Sequence, residues 1–138
     1  MLPNLEIPQY DGTADSVYLY DLLEEHLLLF FISSTCRPCQ EAAEAIASFL
    51  DRTPDCRAAV FIHTDTKLFP EFKEAFEPYA QVFRLEDSLW LDQLGIIGFP
   101  WGISLNRAGQ IIASNPSTQY EWIVRLYEPF LRARALNP

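Results

Sequence analysis

"FFISSTCRPCQEAAEAIASFL", residues 30–50, changes character twice along its length. It opens inside a longer apolar run, "HLLLFFIS" (26–33), of strand length and without polar alternation. Such a run is expected of a strand covered on both faces. It closes in a helical pattern, with Cys39, Ala43, Ile46 and Leu50 at i, i+4, i+7 and i+11 and with Glu41, Glu44 and Ser48 elsewhere on the wheel. Between these segments stand Cys36 and Cys39, enclosing Arg37 and Pro38. Proline fits only the first turn of a helix, where its missing N–H had no partner anyway. The helix is therefore predicted to begin near Thr35 or Cys36, and Thr53-Pro54-Asp55 ends it.

A Cys-x-x-Cys at a strand-to-helix junction has three readings. Half a structural zinc site needs a second ligand pair at matching spacing. Only Cys56 and His63 are available, with a predicted strand between them, so no metal is expected. Two buried thiols could simply pack as small hydrophobes. The third reading is a reversible disulfide, and the location favours it, because open α/β sheets carry their sites at the carboxyl ends of strands. Cys36 would meet unpaired backbone N–H groups and the positive end of the helix dipole, both of which favour a thiolate. Arg37 adds a fixed positive charge beside it. Cys39, one turn on and facing inward, is close enough to close a disulfide and too shielded to react first. Cys36 is thus the expected nucleophile and Cys39 the resolving thiol.

The remaining chain supplies an α/β frame. "LPNLEIPQYDGTADSVYLYDLL" reads as two short extended segments around an Asp11-Gly12 turn. "RAAVFIH" (57–63) is a second buried strand. A helix around "PEFKEAFEPY", a strand "QVFRL" and a helical turn "DSLWLDQLG" follow. "WGISLN" and "QIIAS" form a hairpin across Arg107-Ala108-Gly109. "TQYEWIVRLYEPFLRARAL" closes the chain as a helix. Thr118 and Glu121 are read as its capping box, Trp122, Leu126 and Phe130 as lying along one face, and Pro129 as a kink or an end. Phe69, Phe72, Phe76 and Tyr79 recur at helical spacing and are expected in the core. His26, His63 and Cys56 are given packing roles.

The chain has 138 residues and a formal net charge of −9, with its acidic residues scattered. This disfavours nucleic acid and anionic membrane surfaces, which reward clustered Lys and Arg. No apolar run reaches membrane-spanning length. Residues 1–20 carry prolines and acids where a signal peptide needs a basic start and an apolar centre. The sequence as given is therefore expected in the cytoplasm, the alternative being an extracytoplasmic protein whose leader or anchor lies outside it. Three cysteines are too few for a secreted disulfide scaffold. Without repeat or linker, residues 1–138 are expected to form a single domain.

"FFISSTCRPC" resembles the active site of thioredoxin-fold proteins, with Pro38 where their Cys-Gly-Pro-Cys motif has its proline. "GIIGFPWGISLNRAGQII" resembles a second hallmark of that superfamily, a cis-proline opening the strand that faces the disulfide, here Phe99-Pro100. The amino-terminal segment is similar to that of the TlpA-like and AhpC/TSA group, which adds a short β-hairpin. The resemblance implies a central mixed β-sheet flanked by helices, with an amino-terminal β-hairpin extension. It also implies thiol–disulfide exchange with protein thiols and disulfides, using no cofactor beyond the Cys36–Cys39 pair and requiring an unidentified electron donor or acceptor. Thr35, Arg37 and Pro38 would support the site, and Phe99, Pro100 and Trp101 would line the substrate groove. Some positions depart from the pattern. Thr35 replaces the usual Trp, Phe30 the buried acidic residue of thioredoxins, and Ala42 the Glu of many TlpA-like reductases. These departures keep a non-catalytic thioredoxin-fold adaptor as an alternative. A peroxiredoxin-type peroxidase fits less well, since Leu29 stands where the proline before Cys36 should be.

Overall fold

The computed structural model describes residues 6–7, 17–85 and 89–136. Two strands lie at its centre. β3 (His26–Ser33) is buried along its whole length, and β4 (Ala58–His63) is buried except at its last residue. Their side chains are apolar on both faces, so neither strand could lie at a solvent-facing edge, and the two pair in parallel from Leu28↔Ala58 to Ser33↔His63. β5 (Gln81–Leu85) adds in parallel outside β4. On the other side β6 (Trp101–Asn106) runs antiparallel to β3, and β7 (Ile111–Asn115) antiparallel to β6. The result is a five-stranded mixed sheet in the order β5-β4-β3-β6-β7. Gly109, at φ +79°, supplies the positive dihedral that the β6–β7 turn requires.

Alternation along β3 sorts the core onto two faces. Leu28, Phe30 and Ile32 meet α1 (Arg37–Arg52), α2 (Phe69–Phe76) and α4 (Tyr120–Leu136). Leu27, Leu29 and Phe31 meet a 3₁₀ turn (Leu19–Leu22) and the end of α3 (Leu89–Leu94). Each fully buried Leu, Ile or Phe contributes about 1.5–3 kcal/mol. β1 (Glu6–Ile7) and β2 (Val17–Tyr18) form a separate antiparallel pair, the amino-terminal hairpin; the Asp11-Gly12 turn lies outside the described residues. The first residues of the "DSLWLDQLG" turn likewise lie outside them. Among the described residues no helix is long and apolar enough to cross a membrane.

Three helices differ in detail from the sequence pattern. In α1 the buried positions are Cys39, Ala42, Ile46, Phe49 and Leu50, while Ala43 is half-buried. α2 stops at Phe76, which is buried, so Tyr79 falls beyond it and is exposed. In α4 the core face is Ile123, Leu126 and Tyr127; Trp122 points outward with the Arg125 guanidinium over its ring. That helix starts at Tyr120, and the Gln119 carbonyl accepts from the N–H groups of Trp122 and Ile123, so Gln119 holds the cap position that the sequence pattern assigned to Thr118. The helix also continues through Pro129. The carbonyl that Pro129 deprives of a partner belongs to Arg125, an exposed residue, where water can satisfy it.

Candidate active site

The parallel pairing of β3 and β4 brings Ser33 and His63 side by side at the carboxyl ends of the two strands. The chain leaves β3 through a tight turn, in which the Ser34 N–H donates to the His63 carbonyl and the Cys36 N–H to the Ser33 carbonyl. The Ser33 hydroxyl accepts from the Thr35 N–H (3.3 Å) and lies 3.1 Å from the Thr35 hydroxyl. Cys36 follows as the extended N-cap of α1, and Pro38 occupies the first helical turn.

Cys36 and Cys39 are joined in a disulfide with a Cα–Cα distance of 5.3 Å. Their environments differ sharply. Cys36 is half-buried, whereas Cys39 is 3% exposed and accepts a hydrogen bond from the Ser33 N–H onto its sulfur at 3.4 Å. Arg37 and Thr35 are exposed at the mouth of the site. No carboxylate lies beneath the disulfide from the two positions in question, because Phe30 and Ala42 are both fully buried apolar residues.

The loop before β6 faces Cys36. The Phe99–Pro100 peptide bond is cis, and the Phe99 carbonyl oxygen lies 3.4 Å from the Cys36 sulfur. Pro100 is buried and Phe99 half-buried. Trp101, next in the chain, packs with Phe99 on the sheet face that carries α3 and donates its indole N–H to the Ser114 hydroxyl at 2.7 Å. The site thus gathers Thr35, Cys36, Arg37, Pro38, Cys39, Phe99 and Pro100, while Trp101 is fastened to β7.

Two features escaped the sequence reading. The His63 imidazole is stacked on the Phe99 ring, with centroids 5.7 Å apart, so this histidine borders the site. The level ends of the two buried strand runs could have signalled it, since parallel neighbours of equal reach deliver their last residues to one place. The second feature is a trench between α1 and α2 that opens at the disulfide. Cys56 and His26 stand at the opposite end of β4, far along the sheet from this chemistry. Among the described residues no three His, Cys, Asp or Glu side chains gather to hold a metal ion.

Comparison by sequence finds no match, either to a family model or to a curated protein. Comparison by structure is rich. A secreted thiol-disulfide isomerase from Corynebacterium glutamicum superposes at a TM-score of 0.74, with 13% identity over 95% of this chain and 85% of the other. A secreted Mycobacterium tuberculosis disulfide oxidoreductase gives 0.73, with 12% identity over 91% and 96%. An exposed lipoprotein thioredoxin from Streptococcus pneumoniae gives 0.66, with 17% identity over 91% and 99%. The chain has a thioredoxin-like fold, a mixed five-stranded sheet flanked by helices.

Proposed function

We propose that this chain is a thiol–disulfide oxidoreductase, one thioredoxin-like domain spanning residues 1–138, that exchanges its Cys36–Cys39 pair with disulfides of other proteins. The observation that carries the reading is the pair itself: a half-exposed Cys36 capping α1, bonded to a buried Cys39 and facing the cis Phe99–Pro100 bond. In the reduced protein the unpaired N–H groups of the first turn, the helix dipole and Arg37 all favour the Cys36 thiolate. That thiolate attacks one sulfur of a substrate disulfide. The substrate's S–S bond breaks, its other sulfur leaves as a thiolate and takes up a proton, and a mixed disulfide through Cys36 remains. Cys39, deprotonated, then attacks the Cys36 sulfur, releasing the second substrate thiol and closing the Cys36–Cys39 disulfide. Two electrons pass from the pair to the substrate, and a dithiol donor must return them; with the opposite driving force the same steps run in reverse. No cofactor is needed for this cycle.

Proteins are the proposed substrates. Ile97, 91% exposed in the loop leading to Pro100, would offer an apolar contact to a protein substrate. The names of the similar proteins support the same class of chemistry. Two of them are described as secreted and one as an exposed lipoprotein, which supports an extracytoplasmic setting over a cytoplasmic one. Insulin reduction in the presence of dithiothreitol tests the activity: acceleration over the uncatalysed rate is expected, and its absence would favour the adaptor reading. That second reading has its own support, since Phe30 and Ala42 leave the buried sulfur without a neighbouring carboxylate at either of those positions.

A further inference from the structure

α1 and α2 lie on the same face of the sheet without closing against each other, and a trench of about 630 Å³ runs between them. One end of it is the disulfide, since both Cys36 and Cys39 contribute to its wall. Its bed is apolar: Ala43 and Ala47 from α1 face Phe72 and Ala75 from α2. Ala43, Ala47 and Phe72 are only half-buried, so the chain leaves apolar surface uncovered directly beside its reactive bond. The charged groups on the rim are exposed: Glu44 on α1 and Glu71 on α2 against Arg37 at the cysteine end. Two carboxylates outweigh one guanidinium there, in a chain whose net charge is −9.

A polypeptide attacked at a cysteine must lead its chain away from the sulfur in two directions. The Phe99–Pro100 loop borders Cys36 on one side, and the trench opens on the other. We propose that the trench is a specificity subsite for the segment flanking the substrate cysteine, taking an extended stretch with a large apolar side chain and a Lys or Arg. Volumes of a few hundred Å³ suit one such side chain plus backbone. The apolar group would cover the alanines and Phe72, and the cation would meet Glu44 and Glu71. This inference rests on the oxidoreductase reading and names its substrate class.

The test uses three synthetic peptides, each closed by one Cys–Cys disulfide and identical except for the two residues flanking one cysteine: Leu-Lys, Leu-Glu or Ser-Glu. Each is reduced by the protein with dithiothreitol as donor, and kcat/KM is compared within each variant. Wild type should prefer Leu-Lys over Leu-Glu, and Leu-Glu over Ser-Glu by about tenfold, the discrimination typical of one apolar pocket. Ala47→Leu, which fills the bed, should bring that ratio towards one. The Glu44→Lys/Glu71→Lys double variant, altered only at exposed positions, should reverse the Leu-Lys over Leu-Glu preference, and it carries the test alone if the first variant does not fold. Equal rates for all peptides in wild type, or ratios unmoved in the charge-reversed variant, would overturn the subsite. A wild-type protein that reduces neither the peptides nor a small aromatic disulfide would instead overturn the oxidoreductase reading.

Discussion

Cys36 caps the N-terminus of α1, and Cys56 follows shortly after the same helix ends at Arg52. At the first end the unpaired groups are N–H donors and the dipole is positive; at the second they are carbonyls and the dipole is negative. A thiolate is favoured at one and disfavoured at the other. The packing around the two ends differs in the same sense. At the Cys36 end the chain leaves a trench and an exposed Ile97 open. A cleft also opens at the Cys56 end, but charged groups (Glu24, Glu25, Asp55, Arg57 and Glu77) line it, and the polypeptide around it is fastened: the Arg57 N–H donates to His26 Nε2 at 2.9 Å, its guanidinium donates to the Leu22 carbonyl, and it pairs with Glu24 at 3.5 Å. Each end also holds a histidine, His63 half-exposed on Phe99 and His26 buried against Phe130 and Tyr127. In the proposed reading the same residue types serve exchange at one pole and cohesion at the other, and helix polarity and exposure make the difference.

The contrast is broken most severely by exchanging its roles. Cys36→Ser should reduce disulfide reductase turnover to the uncatalysed rate and form no mixed disulfide with a protein substrate. Cys39→Ser should trap one through Cys36, visible as a reducible adduct on a gel. Cys56→Ser should keep turnover within about twofold, because its sulfur lies in the core at the other pole. Loss of turnover in a folded Cys56→Ser protein would erase the distinction between the poles.

The cohesive pole and the sheet core predict stability effects. His26→Ala removes a ring stacked on Phe130 and strands the Arg57 N–H, so chemical denaturation should show a loss of about 2–4 kcal/mol. Gly102, on β6, has no room for a side chain: a Cβ there would run into the Ser117 hydroxyl and the Leu126 side chain. Gly102→Ala should therefore cost about 1–3 kcal/mol, since Leu126 must move in a packed core. The smallest expected effect lies at the reactive pole. Arg37→Ala should slow alkylation of Cys36 by less than about threefold, because an exposed guanidinium is largely screened.

Much of the frame was legible because β3 and β4 are uninterrupted apolar runs, and Pro38 fixed the helix start to within a residue or two. The phase of the helices was less legible. Alanine is small enough for a core or a trench, so nothing in the sequence separated buried Ala42 from half-exposed Ala43. Spacing puts Trp122 on one helical face with Leu126 and Phe130, but Ile123 is the residue turned inward, and the Asn115 carboxamide holds the helix start by donating to the Trp122 carbonyl. The cysteine pair was readable from local pattern alone. The His63–Phe99 stack and the α1–α2 trench join residues distant in sequence, and only the sheet register and helix packing bring them together.

The proposed exchange requires that α1 make Cys36, among the three cysteines, the nucleophile. Brief iodoacetamide treatment of the fully reduced, folded protein, followed by peptide mass mapping, reads this directly. Carbamidomethylation is expected at Cys36 first, with Cys39 and Cys56 modified only after long exposure or unfolding. Earlier labelling of Cys39 or Cys56 would contradict it.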